Sequence, residues 1–140
     1  MITPAQRAEV ERVALGWLRT PYHHHARIRG VGVDCAQILA AVYEEAGLVP
    51  PTDLGQYAPD WHLHRNEEVY LRNVSAYCVR TTTPGQGDIA VFKYGRCYSH
   101  GGILLASGEI LHAYLGRGVV LSYPHEEPLQ GRDCIYWTLA

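Results

Sequence analysis

Long apolar segments, paired cysteines and blocks of one charge are all missing from this chain of 140 residues. No apolar window approaches the roughly 20 residues that a membrane-spanning helix needs. The N-terminal sequence MITPAQRAEV also lacks the apolar stretch of a signal peptide, which predicts synthesis in the cytoplasm. With 12 basic and 14 acidic residues, the chain has a formal charge of −2 and no basic footprint for nucleic acid or anionic lipid. We therefore expect neither nucleic acid nor a membrane as a partner.

The four cysteines are widely spaced and form no C-x-x-C pair of the kind that redox and zinc motifs use. They stand at positions Cys35, Cys78, Cys97 and Cys134. In a chain made in a reducing cytoplasm, this spacing predicts free thiols. We expect no cofactor, and we assign the last three cysteines to structural roles because free cysteine is among the most buried residue types.

Two amphipathic helices are predicted in the first third of the chain. The first begins with a cap and first-turn signal at Pro4, and its apolar residues recur at helical spacing until about Arg19. The second begins at Asp34 and ends before Gly47. Residues 20–33 between them show no clean period, so we expect a loop there.

After residue 84, glycine-centred turns separate short runs that are rich in β-forming residues. The predicted strands span residues 89–94, 99–106, 109–115, 118–123 and 134–139. A weaker helical pattern precedes them at about residues 65–77. Helices followed by an antiparallel meander indicate an α+β domain whose helices pack on one face of one sheet. No repeat or linker divides the chain, so we expect a single domain over residues 1–140.

The sequence GVDCAQIL places Cys35 directly after Asp34, a residue type that caps helices, and before an apolar helical run. A helix N-terminus stabilises a thiolate and lowers the thiol pKa from about 8.5. The unpaired N–H groups of the first turn can also donate to an oxyanion on an attacked carbonyl. Cys35 is therefore a candidate nucleophile, and a buried core cysteine is the alternative.

Two histidines of the predicted strands, His100 in SHGG and His112 in LHA, could supply the base. A cysteine nucleophile needs a histidine within hydrogen-bond reach and a further polar group that holds the tautomer of this histidine. A tight hairpin at residues 106–109 would place His112 opposite residue 103 or 104, about 13 Å from His100. Contact between the two rings then requires a bulge, a strong twist or a longer loop, for which the two glycines after His100 are candidates.

Taken in order, the motifs PY, GVDCAQIL, GQGDIAVF, SHGGILL and ILHAY resemble the NlpC family of papain-like cysteine peptidases. The resemblance is greatest to the compact forms from phage-tail and gene-transfer-agent clusters, and it extends over about residues 17–123. It implies a papain-like α+β fold in which the helix bearing the cysteine packs against an antiparallel sheet bearing the histidines. It also implies hydrolysis of amide bonds in the stem peptides of bacterial peptidoglycan, often after a D-glutamyl residue.

The same resemblance implies roles for individual residues. Cys35 would be the nucleophile, His100 its base, and His112 the polar residue that orients the His100 imidazole. Tyr22 and Asp34 match positions next to the nucleophile, and we expect them at the substrate-binding site. The family commonly has Asp-Cys-Ser-Gly where this chain has Asp-Cys-Ala-Gln, so the hydroxyl that would help to bind a free amine of the substrate is missing.

A phage-like tail is the expected carrier of this protein, because the sequence shows no wall-binding domain of its own. We expect a virion-associated or tail-associated protein that reaches the cell wall in the periplasm through that partner. The alternative function is a tail-tip structural or assembly protein that keeps the peptidase fold without turnover. Acyl transfer or ester hydrolysis on the same scaffold is a third function that the residues allow.

The run HHH at residues 23–25 lies in the predicted loop before Cys35. Three consecutive histidines cannot easily ligate one ion, so we expect no metal, although His62 and His64 could add two nitrogens. We expect this run, together with Arg27 and Arg29, to line the approach to the nucleophile and to favour acidic groups of a substrate.

Overall fold

The start of helix α1 (Pro4–Leu15) follows from the residues around Thr3. The Thr3 side chain accepts a hydrogen bond from the Gln6 N–H at 3.1 Å, and the Gln6 side chain accepts one from the Thr3 N–H at 2.9 Å. This capping box satisfies two N–H groups that a helix start leaves unpaired. The computed structural model describes residues 1–55, 57 and 69–140.

Two further helices are present in the described part of the chain. Helix α2 (Gln37–Glu45) begins two residues after Cys35 and buries an apolar face against the sheet. Helix α3 (Val69–Ser75) confirms the described part of the helix predicted at 65–77, while residues 65–68 lie outside the described residues. Helix α1 ends earlier than predicted. The N–H groups of residues 16–18 donate to the carbonyls three residues before them, so these residues form turns that follow the α-helix.

Six strands form one antiparallel sheet, and a separate small hairpin precedes it. The hairpin joins β1 (Arg27–Ile28) and β2 (Gly32–Val33) inside the segment predicted as a loop. The sheet contains β3 (Cys78–Thr81), β4 (Ile89–Tyr94), β5 (Cys97–Leu104), β6 (Ile110–Tyr114), β7 (Gly118–Ser122) and β8 (Cys134–Leu139). Strands β4 to β8 confirm the five predicted strands, whereas β3 is absent from the prediction.

The order of strands in the sheet is β3-β8-β4-β5-β6-β7. Strands β4 to β7 form the expected meander, but β8 returns to lie between β4 and β3. The outer edge of β7 is already occupied, since the Arg19 N–H donates to the Val119 carbonyl at 3.0 Å and the Val119 N–H donates to the Thr20 carbonyl at 2.9 Å. The expectation of a continuous meander is therefore wrong at its last strand, because the segment after α1 covers the edge that β8 would need.

The two faces of the sheet bury different sets of side chains, as the alternation along each strand requires. The helices pack on a face that includes Ile89, Val91, Ile103, Leu111 and Trp137. A smaller cluster on the opposite face contains Ala90, Phe92, Ile110 and Leu129. This arrangement confirms the α+β fold with helices on one face of an antiparallel sheet. Within residues 1–55 and 69–140, no helix combines the length and apolar character needed to cross a membrane.

Replacement of Gly102 by alanine tests the close packing of β5 against β6. A methyl group there would lie 2.5 Å from Cγ2 of Ile110, 2.7 Å from the Leu111 carbonyl oxygen and 2.9 Å from Cβ of His112. We expect Gly102→Ala to lower the free energy of unfolding by about 2 kcal/mol, measured by urea denaturation. Gly85→Ala is the control for a milder contact, because its nearest neighbour would be Nη1 of Arg7 at 3.2 Å, whereas all three neighbours of the Gly102 methyl group lie within 2.9 Å. Equal stability of the two variants would contradict the packing described.

Candidate active site

Asp34 shapes the turn that carries Cys35. Asp34 is 1% exposed, and its Oδ1 accepts hydrogen bonds from the N–H groups of Ala36 at 3.0 Å and Gln37 at 2.8 Å. Its backbone carbonyl accepts a bond from the Ile38 N–H at 3.1 Å. These bonds hold Cys35 in the turn directly before α2. The N-cap of α2 is Ala36, so Asp34 closes this turn and is not the cap of the helix that was predicted.

The second carboxylate oxygen of Asp34 binds two other segments of the chain. Oδ2 accepts hydrogen bonds from the His25 N–H at 2.8 Å and from the Tyr57 hydroxyl at 2.5 Å. The Nε2 atoms of His24 and His25 in turn lie 2.9 Å and 3.3 Å from the Tyr57 carbonyl oxygen. Both oxygens of the buried carboxylate are therefore engaged by groups of this protein.

The Cys35 side chain lies against the backbone of β5 on both sides of His100. Its Sγ donates to the Ser99 carbonyl at 3.7 Å, and the Gly101 N–H donates to the sulfur. The Tyr70 hydroxyl donates to the Cys35 carbonyl at 2.7 Å and so joins α3 to the same turn. The structure thus brings Cys35 to the stretch of β5 that carries His100.

Burial raises the pKa of the Cys35 thiol to about 12, and the neighbouring Asp34 carboxylate raises it in the same direction. Hydrogen bonds from the Tyr22 hydroxyl and from the N–H groups of Cys35 and Gly101 act in the opposite direction. The prediction that the pKa of this thiol is lowered is wrong for the thiol by itself, because burial and the preceding carboxylate outweigh the hydrogen bonds that stabilise the thiolate. The resting thiol is neutral, and a base is needed to ionise it.

The hydrogen-bond donors available for an oxyanion beside Cys35 also differ from the first-turn N–H groups that were expected. Asp34 occupies the N–H groups of Ala36 and Gln37, so these do not face an oxyanion. The N–H of Cys35 instead points to the Tyr22 hydroxyl, which is also hydrogen bonded to the thiol. Burial raises the pKa of Tyr22, so its hydroxyl stays protonated and can donate. The Cys35 N–H and the Tyr22 hydroxyl are therefore the candidate oxyanion donors.

A buried chain of hydrogen bonds runs from His100 to Ser122. His100 Nε2 lies 2.8 Å from His112 Nδ1, and His112 Nε2 lies 3.0 Å from Ser122 Oγ. Burial lowers the pKa of His112 to about 4, and the positive charge of Arg117 lowers it in the same direction. A neutral His112 with its proton on Nε2 donates to Ser122 and accepts from His100 at Nδ1. In that arrangement Nδ1 of His100 is a proton acceptor.

The contact between the two imidazoles depends on the register of β5 and β6. Ile103 pairs with Leu111, so the next position along places His112 opposite Gly102, two residues from His100. The loop between the strands is one residue longer than a tight turn, and this longer loop is one of the three arrangements expected to bring the rings together. Diagonal neighbours in a sheet are within reach of long side chains, and the missing side chain of Gly102 lets His112 approach.

The arginines expected to line the approach to Cys35 are held elsewhere. Arg27 donates to the Gln37 side chain at 2.8 Å and forms an ion pair with Glu44 at 2.6 Å. Arg29 forms an ion pair with Glu45. Glutamates at the end of α2 therefore pair with both arginines, through a half-buried ion pair for Arg27 and an exposed one for Arg29.

The four cysteines are free thiols, as predicted. Within residues 1–55, 57 and 69–140, no three histidine, cysteine or acidic side chains are grouped so that they could hold a metal ion. His62 and His64, considered above as further nitrogen ligands, lie outside the described residues.

The site contains three further residues that the sequence pattern does not predict: Tyr57, Tyr70 and Ser122. Tyr57 and Tyr70 stand in or next to the stretch of the chain with the weakest periodicity, so no pattern pointed to them. Ser122 carries a usable signal, because a polar residue at the end of a predicted strand can share a face with His112 of the neighbouring strand.

The fold and the site together define a class of protein. A thiol in the turn before a helix is packed against an antiparallel sheet, and the strand it touches carries one of two hydrogen-bonded histidines. A papain-like α+β domain has this arrangement, in which a cysteine and a histidine come from separate halves of one fold.

The profile of the NlpC/P60 family matches residues 19–138, and the chain belongs to this family. Its fold is similar to the NlpC/P60 domain of peptidoglycan hydrolase SagA, with a TM-score of 0.60 and 18% identity over 92% of this chain and 96% of that one. No match was found among curated proteins.

Two longer solved proteins have the same fold. A lipoprotein-like NLP/P60 protein of Staphylococcus aureus subsp. aureus Mu50 matches with a TM-score of 0.62 and 18% identity over 96% of this chain. An NlpC/P60 family protein from Bacillus cereus ATCC 10987 matches with a TM-score of 0.65, again at 18% identity over 96% of this chain. The present chain covers 42% and 40% of these two proteins.

Asp34→Ala tests whether this carboxylate holds the turn before α2. We expect the free energy of unfolding to fall by about 3 kcal/mol, because buried N–H and hydroxyl donors from three segments lose their acceptor. Asp53→Ala is the matched control, since the exposed Asp53 carboxylate accepts a local bond from the Gly55 N–H. Urea denaturation measures both variants, and similar losses of stability in the two would contradict the role given to Asp34.

The low pKa of His112 predicts a pH dependence of stability. An unfolded histidine titrates near 6.5, so the unfolded chain binds the proton more readily between pH 6.5 and 4. Stability should therefore fall as the pH decreases through this window, by up to about 3 kcal/mol, and change little above it. Urea denaturation at pH 7 and pH 4.5 measures this loss for the wild type and for His112→Asn. Equal losses in both proteins would contradict the assignment to His112.

Proposed function

We propose that this protein is a cysteine peptidase that hydrolyses amide bonds in the stem peptides of bacterial peptidoglycan. The observation that carries the proposal is the position of the Cys35 thiol, which lies 3.7 Å from the Ser99 carbonyl and beside the strand position of His100. The hydrogen bond from His100 to His112 supplies the orienting group that such a base needs. Membership of the NlpC/P60 family supports the reaction class, and the similarity to a peptidoglycan hydrolase supports the substrate class.

Acylation begins with transfer of the thiol proton from Cys35 Sγ to Nδ1 of His100. Because burial keeps the resting thiol neutral, the thiolate forms together with the imidazolium that balances its charge. The thiolate attacks the carbonyl carbon of the scissile amide, and the N–H of Cys35 and the hydroxyl of Tyr22 donate to the resulting oxyanion. The intermediate collapses as the C–N bond breaks, and His100 gives its proton to the leaving amine.

Deacylation uses the same groups in reverse. His100 accepts a proton from a water molecule, whose oxygen attacks the thioester carbonyl carbon. The C–S bond then breaks, the peptide leaves with a new carboxylic acid, and the proton on His100 returns to the Cys35 sulfur. Tyr22 and the Cys35 N–H stabilise this second oxyanion as they did the first.

Asp34, His112 and Ser122 act as positioning residues in this mechanism. Both oxygens of Asp34 already accept hydrogen bonds from the protein, so Asp34 holds the Cys35 turn rather than contacting substrate. His112 and Ser122 fix which nitrogen of His100 carries the proton. Of the two residues expected at the substrate-binding site, Tyr22 keeps that role here.

Association with a phage-like tail and delivery to the periplasm also belong to this proposal. The motif resemblance to compact phage-tail and gene-transfer-agent peptidases supports them. A tail protein without turnover is the alternative, and the activity of the isolated chain separates the two functions. Mass spectrometry of purified tail particles is the measurement that decides the association itself.

Incubation of purified peptidoglycan with the wild type should release stem-peptide fragments, and Cys35→Ala should release none. Loss of the nucleophile removes covalent catalysis, so we expect a decrease of at least about 1000-fold in rate. Mass spectrometry of the fragments measures the products and identifies the bond that is cut.

Cys134→Ala is the matched control for this experiment, because Cys134 is another half-buried free thiol and lies in β8. It should retain the wild-type rate. Hydrolysis by Cys35→Ala would contradict the choice of nucleophile. An absence of fragments from a folded wild type would contradict the peptidase function and favour the structural alternative.

A further inference from the structure

A surface groove opens directly beside Tyr22, on the side of the candidate active site where the chain leaves α1. Its lining residues are Arg19, Pro21, Tyr22, Gly116, Arg117 and Gly118. Since the Tyr22 hydroxyl is hydrogen bonded to the Cys35 thiol, one wall of this groove is shared with the nucleophile. A peptide whose carbonyl reaches Cys35 therefore has this groove next to it.

The backbone holds the two walls of the groove together. The Arg19 N–H donates to the Val119 carbonyl at 3.0 Å, and the Val119 N–H donates to the Thr20 carbonyl at 2.9 Å. A side chain at Gly118 would place its Cβ 2.5 Å from the Thr20 carbonyl oxygen, so only glycine permits this approach. These backbone contacts hold the segment of Arg19 next to the segment that follows Arg117, and both arginines line the groove.

Arg19 brings an uncompensated positive charge to the groove. Its side chain is exposed, and within the described part of the chain it has no hydrogen-bond or ion-pair partner. Its backbone lies in the left-handed region with φ 72°, which is uncommon for a residue with a side chain. This conformation accompanies the pairing with β7, because the chain turns after α1 and the Arg19 N–H then reaches the Val119 carbonyl.

Arg117 carries the second positive charge and lies close to His100 and His112. Its guanidinium lies over the Tyr114 ring at 5.5 Å, and that ring is 5.4 Å from the His100 ring. The Arg117 charge also lowers the pKa of His112. Glu127 pairs with Arg117, but the two side chains are 63% and 45% exposed, and such exposed pairs contribute little stability. A ligand can therefore exchange with Glu127 at a small cost.

We propose that this groove binds a carboxylate of the peptide substrate between the guanidinium groups of Arg19 and Arg117. The inference rests on the proposed function, because it concerns the peptide that Cys35 would cut. Guanidinium groups match the planar, two-oxygen geometry of a carboxylate, and two of them lining one groove can engage both oxygens. Arg19 and Arg117 line the same groove as Tyr22, and we therefore assign the preference for acidic substrates to them rather than to Arg27 and Arg29.

Binding to the inactive variant Cys35→Ala tests the groove by calorimetry. The probes are a synthetic stem peptide with a free D-glutamyl carboxylate and the same peptide with that carboxylate converted to an amide. We measure binding rather than turnover, because the Arg117 charge also acts on His112. In the Cys35→Ala background, we expect Arg19→Gln and Arg117→Gln each to weaken binding of the acid by about 5-fold and of the amide by less than about 2-fold.

Arg12→Gln is the matched control, because Arg12 is an exposed arginine of α1 that is paired with Glu9. It should bind both peptides as the Cys35→Ala parent does. Equal weakening of acid and amide binding, or no weakening by either groove variant, would overturn the inference. Turnover of the acid peptide by the wild type, measured in parallel, tests the proposed function separately. If the wild type does not cut the acid peptide but the acid is still bound more tightly than the amide, the peptidase function is contradicted and the carboxylate site is supported.

Discussion

The buried carboxylate of Asp34 is the interaction on which the rest of the site depends. One oxygen closes the turn in front of α2, and the other binds the His25 N–H and the Tyr57 hydroxyl from segments far from that turn in sequence. An ionised carboxylate is stable inside a protein only when hydrogen bonds replace its lost hydration. Because those donors come from three places, satisfying Asp34 also fixes how the three segments meet. Cys35 follows Asp34 directly, so the hydrogen bonds of that carboxylate also determine where the thiol lies.

The same carboxylate works against ionisation of the thiol that it positions. Burial and the Asp34 charge both raise the pKa of Cys35, and the hydrogen bonds from Tyr22 and from backbone N–H groups only partly oppose them. In the proposed mechanism, such a site holds the Cys35 thiol neutral until His100 takes its proton. The histidine pair has the complementary property, since burial keeps His112 neutral and able to accept a hydrogen bond from His100. The chemistry therefore depends on the meeting of two halves, neither of which activates the thiol alone.

Much of the fold could be predicted because its signals are local. Strands β4 to β8 were predicted within one to two residues, since alternating side chains and glycine turns specify strand position from neighbouring residues. The return of β8 to a place between β3 and β4 was not predictable, because it depends on the Arg19 and Thr20 backbone covering the edge of β7. Whether a strand edge is already hydrogen bonded depends on the assembled sheet, and no periodic pattern in the sequence indicates it.

The sequence by itself determined the residue types of the site and the elements that carry them: a cysteine before a helix and two histidines on consecutive strands. Only the tertiary structure decided their relations. It set the hairpin register that places His112 within reach of His100, and it paired Arg27 and Arg29 with glutamates of α2. It also reversed the expected direction of the Cys35 pKa. The physical reason is that strand position follows from short-range steric preferences, whereas contact, solvent exclusion and charge pairing depend on residues that are distant in sequence.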